Sequence, residues 1–137
     1  MNIWDIDNFS NEAAEEWLYD FGENDFRLID RTLAGVAYLL PVDELDAFEA
    51  AEALVAAETV AAALGAKAES IPEELAEWLE ENPVIQVKDE YVEMAQKAVK
   101  RILEQSELRE HWQNTDQFGA WQSGLQNLLA RLSPLKS

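Results

Sequence analysis

The sequence has no cysteine and a single histidine among its 137 residues, which excludes several kinds of chemistry. Without cysteine there is no disulfide, no thiolate metal site and no cysteine nucleophile. One histidine, His111, cannot supply the paired Glu-x-x-His motifs of a di-metal carboxylate bundle, and no serine lies in a nucleophile elbow. His111 falls at the end of a short predicted helix, where a structural hydrogen bond is its usual role. We therefore expect no catalytic residues, no metal, no cofactor and no enzymatic activity.

Basic residues are scarce too, with 10 Lys and Arg against 28 Asp and Glu and a net charge of −18. The imbalance is local, because residues 1–83 contain 21 acidic and three basic residues whereas residues 84–137 contain seven of each. A field of this sign repels phosphates, so we do not expect nucleic acid as a ligand. The charge favours a basic protein or a cation as partner, and the alternative is that it only keeps the protein soluble.

Apolar runs of the roughly 20 residues that a membrane span needs are absent, so no membrane partner is expected. The chain begins with Asp5 and Asp7 before any basic residue, which is unlike a signal or transit peptide. We therefore expect a cytoplasmic protein. The hydrophobic fraction of 48% and the five tryptophans are sufficient for a packed core within one domain, residues 1–137.

Helical periodicity recurs along the whole chain and predicts an all-α, bundle-like domain of six or seven helices. The only candidate strand, "VIQV" (84–87), is too short and solitary for a sheet. The third helix is long and rich in alanine, and small side chains let neighbours approach, so we place it at the centre. The predicted helices run from Asn11 to Gly22, from Asn24 or Asp25 to before Pro41, from Asp43 to Leu64, over "PEELAEWLEE" (72–81), from about Asp89 to Glu104, over "SELREHW" (106–112), and from Thr115 or Asp116 to before Pro134.

The stretch "WDIDNFSNEAAEEWLYDF" (4–21) interleaves acidic and aromatic residues. A calcium loop starting at Asp5 is excluded because Phe9 occupies the fifth ligand position and Ser10 replaces the turn glycine. Helical spacing instead puts the apolar residues on a packed side and the acids on a solvated side. That solvated side is the candidate partner-binding surface, formed by Asp5, Asp7, Glu12, Glu15, Glu16, Tyr19 and Asp20.

Glu58 is the most unusual carboxylate because it lies among Ala and Val on the helix placed at the centre. Burying a carboxylate alone is costly, so it needs a partner or loses its charge. The structural interpretation is an acceptor for a Trp indole, a backbone amide or an arginine such as Arg101 or Arg131. The functional interpretation is a catalytic or ligand-binding acid. Because no second catalytic group is in view, we favour the structural one.

Several stretches resemble a bacterial family without an assigned activity, domain-of-unknown-function family 4259. They are "AAETVAAALG" (56–65), "SELREHW" (106–112), a closing pattern of Trp121, Leu125, Leu128, Arg131 and Leu132, and an opening pattern of Trp4, Phe9, Asn11, Ala14, Trp17 and Phe21. The resemblance implies a small helical bacterial protein and carries over no catalytic residue. Of the opening pattern, Trp4, Phe9, Asn11 and Trp17 fit a packed N-terminal motif as well as a binding site.

The sequence also departs from the family pattern in its N-terminal region. Members typically have glycine where this chain has Asp5 and Asp7, and aspartate where it has Glu12 and Glu16. The segment therefore takes a less tight path here, or this branch of the family has gained charge.

Three functional hypotheses follow. The first is a protein-binding module for a basic partner, similar to the immunity proteins that block a cognate toxin. The second is a structural protein that self-associates through residues 84–137, which leaves monomer and homodimer both open. The third, ranked last, is a small-ligand binder or enzyme that uses Glu58.

Overall fold

The computed structural model describes residues 9, 11–24, 26–40, 42–65, 71–81 and 89–132. These residues form seven helices and no strand. The helices are α1 (Glu12–Asn24), α2 (Phe26–Ala37), α3 (Ala47–Ala63), α4 (Glu73–Glu81), α5 (Asp89–Glu104), α6 (Glu107–Trp112) and α7 (Phe118–Leu132). The predicted all-α architecture is confirmed. The strand candidate at 84–87 and Pro134, before which the last helix was predicted to end, lie outside the described residues.

Helix α1 begins directly after Asn11, the residue that was predicted to cap it. The Asn11 side-chain oxygen accepts a hydrogen bond of 2.8 Å from the Ala14 amide, satisfying a donor that has no partner within the helix. The predicted end at Gly22 is wrong, because the helix continues to Asn24. One glycine costs about 1 kcal/mol in a helix, less than burial of Trp17 and Phe21 in the preceding turns contributes.

Helix α3 is the centre of the fold, as predicted, and it packs against each of the other six helices. From Ala53 to Ala62 every residue is buried, and a helix segment that is buried on every side is stable only inside a core. Its many alanines let the surrounding backbones approach closely. Gly65 follows the helix with a φ of 92°, a left-handed conformation that glycine adopts at no steric cost.

The predicted start of α3 at Asp43 is four residues too early. Asp46 is extended and its carboxylate accepts the Glu49 amide at 2.7 Å, so it is the N-cap. The carboxylate of Glu107, on α6, accepts the Ala47 amide at 2.7 Å. Two carboxylates therefore satisfy the first turn of α3, one local and one from a distant part of the chain.

The "SELREHW" stretch joins α5 to α6 and holds α6 on the core. Ser106 caps α6 by accepting the Arg109 amide at 3.0 Å, and its hydroxyl donates to the Ile102 carbonyl at 2.7 Å. Leu108 and Trp112 are buried. The boundaries of α5 and α6 agree with the predicted ones, because Ser106 bonds to backbone groups only three and four residues away.

Among the residues that the structure describes, no helix combines the length and the apolar character needed to cross a bilayer. The tryptophans are used mainly for packing. Trp17 and Trp121 are in the core, and Trp78 packs partly buried with its ring edge-on to Phe21 at a centroid distance of 4.8 Å.

Candidate functional site

The predicted binding surface forms one outer face of α1. Trp17, Leu18 and Phe21 turn into the core, which leaves the opposite side of the helix in solvent. Tyr19 stands out on this face because 76% of its side chain is exposed. The exposed residues of this α1 face are Glu12, Glu15, Glu16, Tyr19 and Asp20. The predicted members Asp5 and Asp7, and the motif residue Trp4, lie outside the described residues.

Three carboxylates at the start of α3 extend the α1 face: Asp46, Glu49 and Glu52. Burial raises the pKa of the partly buried Glu52 carboxyl, and the negative charges of Glu49, Glu16, Asp20 and Asp46 raise it further. Glu16 and Asp20 belong to α1, so the two helices bring their acids within electrostatic range of each other. We call the α1 face together with these three carboxylates the acidic surface.

The pKa of Glu49 is raised for a related reason. Burial is the largest cause, and the charge of Asp46 and a side-chain hydrogen bond that the protonated Glu49 carboxyl donates to Asp46 add to the effect. Like charges are therefore crowded where the two helices meet. A cationic group placed here would relieve the repulsion as well as gain its own attraction.

A cleft of about 280 Å³ lies between α1, α2 and α3 beside these carboxylates. Asp20, Glu49 and Glu52 line it, and Arg31 of α2 is the basic residue in its wall. Its apolar wall includes Trp17, whose indole N–H donates to the Thr32 hydroxyl at 2.8 Å. The cleft thus combines acidic rims with an apolar wall, an arrangement suited to a long basic side chain.

Replacing Glu52 with glutamine is expected to stabilise the protein at neutral pH. Because the pKa of Glu52 is raised on folding, the folded state binds this proton more tightly than the unfolded state does. The wild type should therefore gain stability as the pH falls from neutral, and this gain should be complete below the ordinary value of 4.5. Urea unfolding of both proteins across this range should show a stability difference that shrinks towards zero at low pH. A difference that does not change with pH would contradict the assignment.

The acids of this surface are not arranged as a metal centre. Among the described residues, no three His, Asp or Glu side chains converge closely enough to hold a metal ion. His111, the single histidine, is partly buried with its ring edge-on to Trp112 at 4.9 Å, a packing contact. The buried Trp112 indole N–H has no hydrogen-bond acceptor within the described part of the chain.

Glu58 lies in the core, with 4% of its side chain exposed, and it pairs with Arg131 of α7. The contact is bidentate, with the two guanidinium nitrogens 2.7 and 3.1 Å from the two carboxylate oxygens. Arg131 also donates from Nε to the Asn127 side chain at 2.8 Å. The pair joins the central helix to the last helix, and of the two arginines considered from sequence it is Arg131 that reaches Glu58.

Arg101, the other candidate partner for Glu58, binds a different part of the structure. Its guanidinium donates to the carbonyls of Leu40 and Asp43 in the α2–α3 connection, and its Nε donates to Gln105 at 3.0 Å. A second cleft, of about 290 Å³, surrounds this point. Because Arg101, Ser106 and Glu107 in its wall already bond to backbone groups, we regard this cleft as a structural junction.

Sequence reasoning missed the contribution of α3 to the acidic surface. Asp46, Glu49 and Glu52 recur every three residues, a spacing that puts them on one side of a helix. That signal was available in the sequence. It could not indicate that this side of α3 meets α1, because the pairing depends on the tertiary packing.

Comparison with known families agrees with the resemblance seen in the sequence. The family described as Domain of unknown function (DUF4259) matches residues 2–124, and the chain belongs to this family. The match ends within α7, so it includes Glu58 and Trp121 but not Arg131. The comparison with curated proteins and the comparison with solved structures found no match.

The residues that carry the resemblance lie in the core and at helix ends. Phe9 is buried, Asn11 caps α1, Ser106 caps α6, and Trp17 and Trp121 are in the core. Of the acidic surface, Asp46, Glu49 and Glu52 lie outside the stretches that carry the resemblance. Membership of the family therefore does not explain these three acids.

Proposed function

We propose that this member of the family is a binding protein whose acidic surface docks a basic protein partner, in the manner of an immunity protein. The observation that carries the proposal is the joining of two sets of acids, one on α1 and one at the start of α3, into one surface. The proposed role is binding and not catalysis, and the proposed location is the cytoplasm.

Electrostatic attraction supplies the first part of the argument. Residues 1–83 hold the whole excess of negative charge, so the field is directed to one part of the molecule. Such a field accelerates encounter with a cationic surface and selects against acidic partners. Burial raises the pKa of Glu52 and the neighbouring carboxylates raise it further, and a bound cation would lower that pKa again.

A hydrophobic anchor within the charged surface supplies the second part. Interface energy is concentrated in a few aromatic or arginine side chains surrounded by polar contacts. Tyr19 is 76% exposed and has Glu15, Glu16 and Asp20 near it on the same helix. The adjacent cleft offers space for a lysine or arginine of the partner.

A role for Glu58 in catalysis is not proposed. Its two carboxylate oxygens each accept from Arg131, and among the described residues no second acid or base group accompanies it in a cleft. An ion pair of this kind serves to join α3 and α7.

Reversing three acids of the α1 face is expected to abolish partner binding. The variant carries Glu12→Lys, Glu15→Lys and Glu16→Lys, and it is compared with the wild type for capture of a basic protein from a bacterial lysate. The captured protein is then purified for titration calorimetry at several salt concentrations. We expect a loss of at least about a hundredfold in affinity, and wild-type binding that weakens as salt rises.

A matched control is available on α4. The variant with Glu73→Lys, Glu74→Lys and Glu77→Lys makes the same change in net charge at three other exposed acids. It should keep most of the affinity. Equal losses in the two variants would mean that only total charge matters, and binding that ignores both the α1 reversal and salt would overturn the proposal.

A further inference from the structure

Four large apolar side chains are exposed among the described residues, and three of them follow one another in the connection between α2 and α3. They are Tyr38, Leu40 and Val42, with exposed fractions of 64%, 61% and 85%, and we call these three residues the apolar turn. The fourth, Tyr19, lies on the α1 face. Single exposed apolar side chains are normal on a soluble protein, whereas several close together mark a contact site.

Hydrogen bonds fix the backbone of the apolar turn. The Leu40 amide donates to the Asp43 carboxylate and the Asp43 amide donates to the Leu40 carbonyl, both at 2.9 Å. Arg101 of α5 donates to the carbonyls of the same two residues. The apolar side chains are thus presented on a braced loop, which reduces the entropy lost when a partner binds.

The cleft of about 290 Å³ at the junction of α5, α6 and the α2–α3 connection is acidic, and Val42 forms part of its wall. Arg101 and Glu107 bond to backbone groups inside the junction, whereas Val42, Glu44 and Glu110 are exposed. The exposed part therefore combines an apolar side chain with two carboxylates, which suits a cation attached to an apolar group. Among the described residues that line this cleft, the charged ones are five acids and one base: Asp43, Glu44, Asp46, Glu107, Glu110 and Arg101.

The junction cleft is continuous with the acidic surface through Asp46, which belongs to both. Asp46 caps α3 and lies within electrostatic range of Glu49 and Glu52. These two acids line the other cleft, of about 280 Å³, beside α1. The start of α3 therefore borders two acidic clefts, and its carboxylates connect the α1 face to the apolar turn.

We propose that the basic partner docks a second segment on the apolar turn, with an apolar side chain against Leu40 and Val42 and a lysine or arginine in the junction cleft. The segment is amphipathic and cationic. This inference rests on the proposed function, because it describes a second contact for the same partner. Two contacts joined through one partner raise the affinity above that of either contact alone.

Charge selects a basic segment as the occupant. The chain has a net charge of −18, so a second copy is repelled, and the excess of acids in the junction cleft repels an acidic segment. Tyr38 already has a cation beside it, because the Lys97 ammonium lies 5.8 Å from the centre of its ring. The contact assigned to the partner therefore uses Leu40 and Val42, and its cation lies on the side of Glu44.

Synthetic peptides with the proposed chemistry test this contact without the natural partner. The first peptide combines lysine with leucine, the second has serine at each leucine position, and the third has glutamate at each lysine position. Each is titrated into isotope-labelled protein and followed by nuclear magnetic resonance. We expect the lysine–leucine peptide to bind about tenfold more tightly than the lysine–serine peptide and to shift the amide signals of Leu40 and Val42. The glutamate peptide should not bind.

The variant with Leu40→Ser and Val42→Ser removes the apolar contact without a change in charge. It should bind the lysine–leucine peptide about tenfold more weakly than the wild type does. Its affinity for the lysine–serine peptide should be unchanged, so the preference for leucine disappears. A wild type without this preference, or a serine variant that keeps it, would overturn the contact, provided circular dichroism shows folded helices.

The variant with Glu44→Gln and Glu110→Gln tests the cation in the junction cleft. It should weaken the binding of both lysine peptides about fivefold. Glu73→Gln with Glu74→Gln on α4 removes the same charge from two other exposed acids and should have a much smaller effect. Equal losses in these two variants would show that only total charge matters and would overturn the assignment of the cation to this cleft.

The serine variant also separates this inference from the proposed function. It keeps its α1 face, so it should still capture the basic partner, with an affinity about tenfold lower than that of the wild type. A partner that binds the serine variant and the wild type equally would overturn the second contact and leave the proposed function standing. Partner binding that is unchanged by the α1 reversal and by salt would overturn the proposed function, whatever the peptides show.

Discussion

Replacing Arg131 with methionine is expected to lower the free energy of unfolding by about 3 kcal/mol. The substitution keeps an apolar stem of similar length and removes both guanidinium bonds to Glu58. The carboxylate is then held in the core, with 4% of its side chain exposed, without this cation. Removing one partner of a buried ion pair usually costs more than the pair contributes, because the remaining charge stays desolvated.

Substituting the acid of this ion pair should reduce the stability less than substituting the arginine does. In Glu58→Gln the amide oxygen still accepts from Arg131, and the arginine, which is 17% exposed, can turn towards water. We expect a loss of about 1 kcal/mol for this variant. Lys100→Met on the exposed face of α5 removes the same charge as Arg131→Met and should have almost no effect.

Urea unfolding followed by circular dichroism measures these differences, and one cooperative transition is expected if the chain is the single domain that the sequence predicts. The double variant Glu58→Gln with Arg131→Met completes a double-mutant cycle, which gives the coupling free energy between the two side chains. If Arg131→Met and Lys100→Met change the free energy of unfolding by the same amount, the ion pair does not stabilise the fold.

Local signals account for what the sequence predicted well. Asn11, Ser106 and Gly65 act on amides and carbonyls within a few residues, so the start of α1, the start of α6 and the end of α3 could be located from the sequence. The central position of α3 also follows from composition, since beyond Glu52 the helix is mostly alanine and valine and has no polar side to turn to solvent.

Long-range contacts account for what the sequence could not show. The first turn of α3 is satisfied partly by Glu107, sixty residues away, so the helix start at Ala47 depends on where α6 docks. Arg101 and Arg131 were equivalent candidates for Glu58 until packing placed one on α7 beside it and the other against the α2–α3 connection. The acidic surface follows the same rule, because the acids of α3 join those of α1 only in the folded protein.

The largest loss of stability is expected from Trp17→Ala, at about 3 to 5 kcal/mol. Trp17 is 2% exposed, its ring stacks on Phe21 at a centroid distance of 5.2 Å, and its indole donates to the Thr32 hydroxyl. Alanine would leave a cavity at the junction of α1 and α2 and remove the donor to Thr32.

Tyr19→Ala is the matched control, because it removes an aromatic side chain from the same helix two residues away. With 76% of Tyr19 exposed, the free energy of unfolding should change by no more than about 0.5 kcal/mol, as for most surface substitutions. Its effect should appear in binding, because loss of the anchor weakens the affinity for the basic partner. Urea unfolding and titration calorimetry of the two variants should thus divide α1 into a side that holds the fold and a side that binds. If Tyr19→Ala destabilises the fold as much as Trp17→Ala does, that division is wrong.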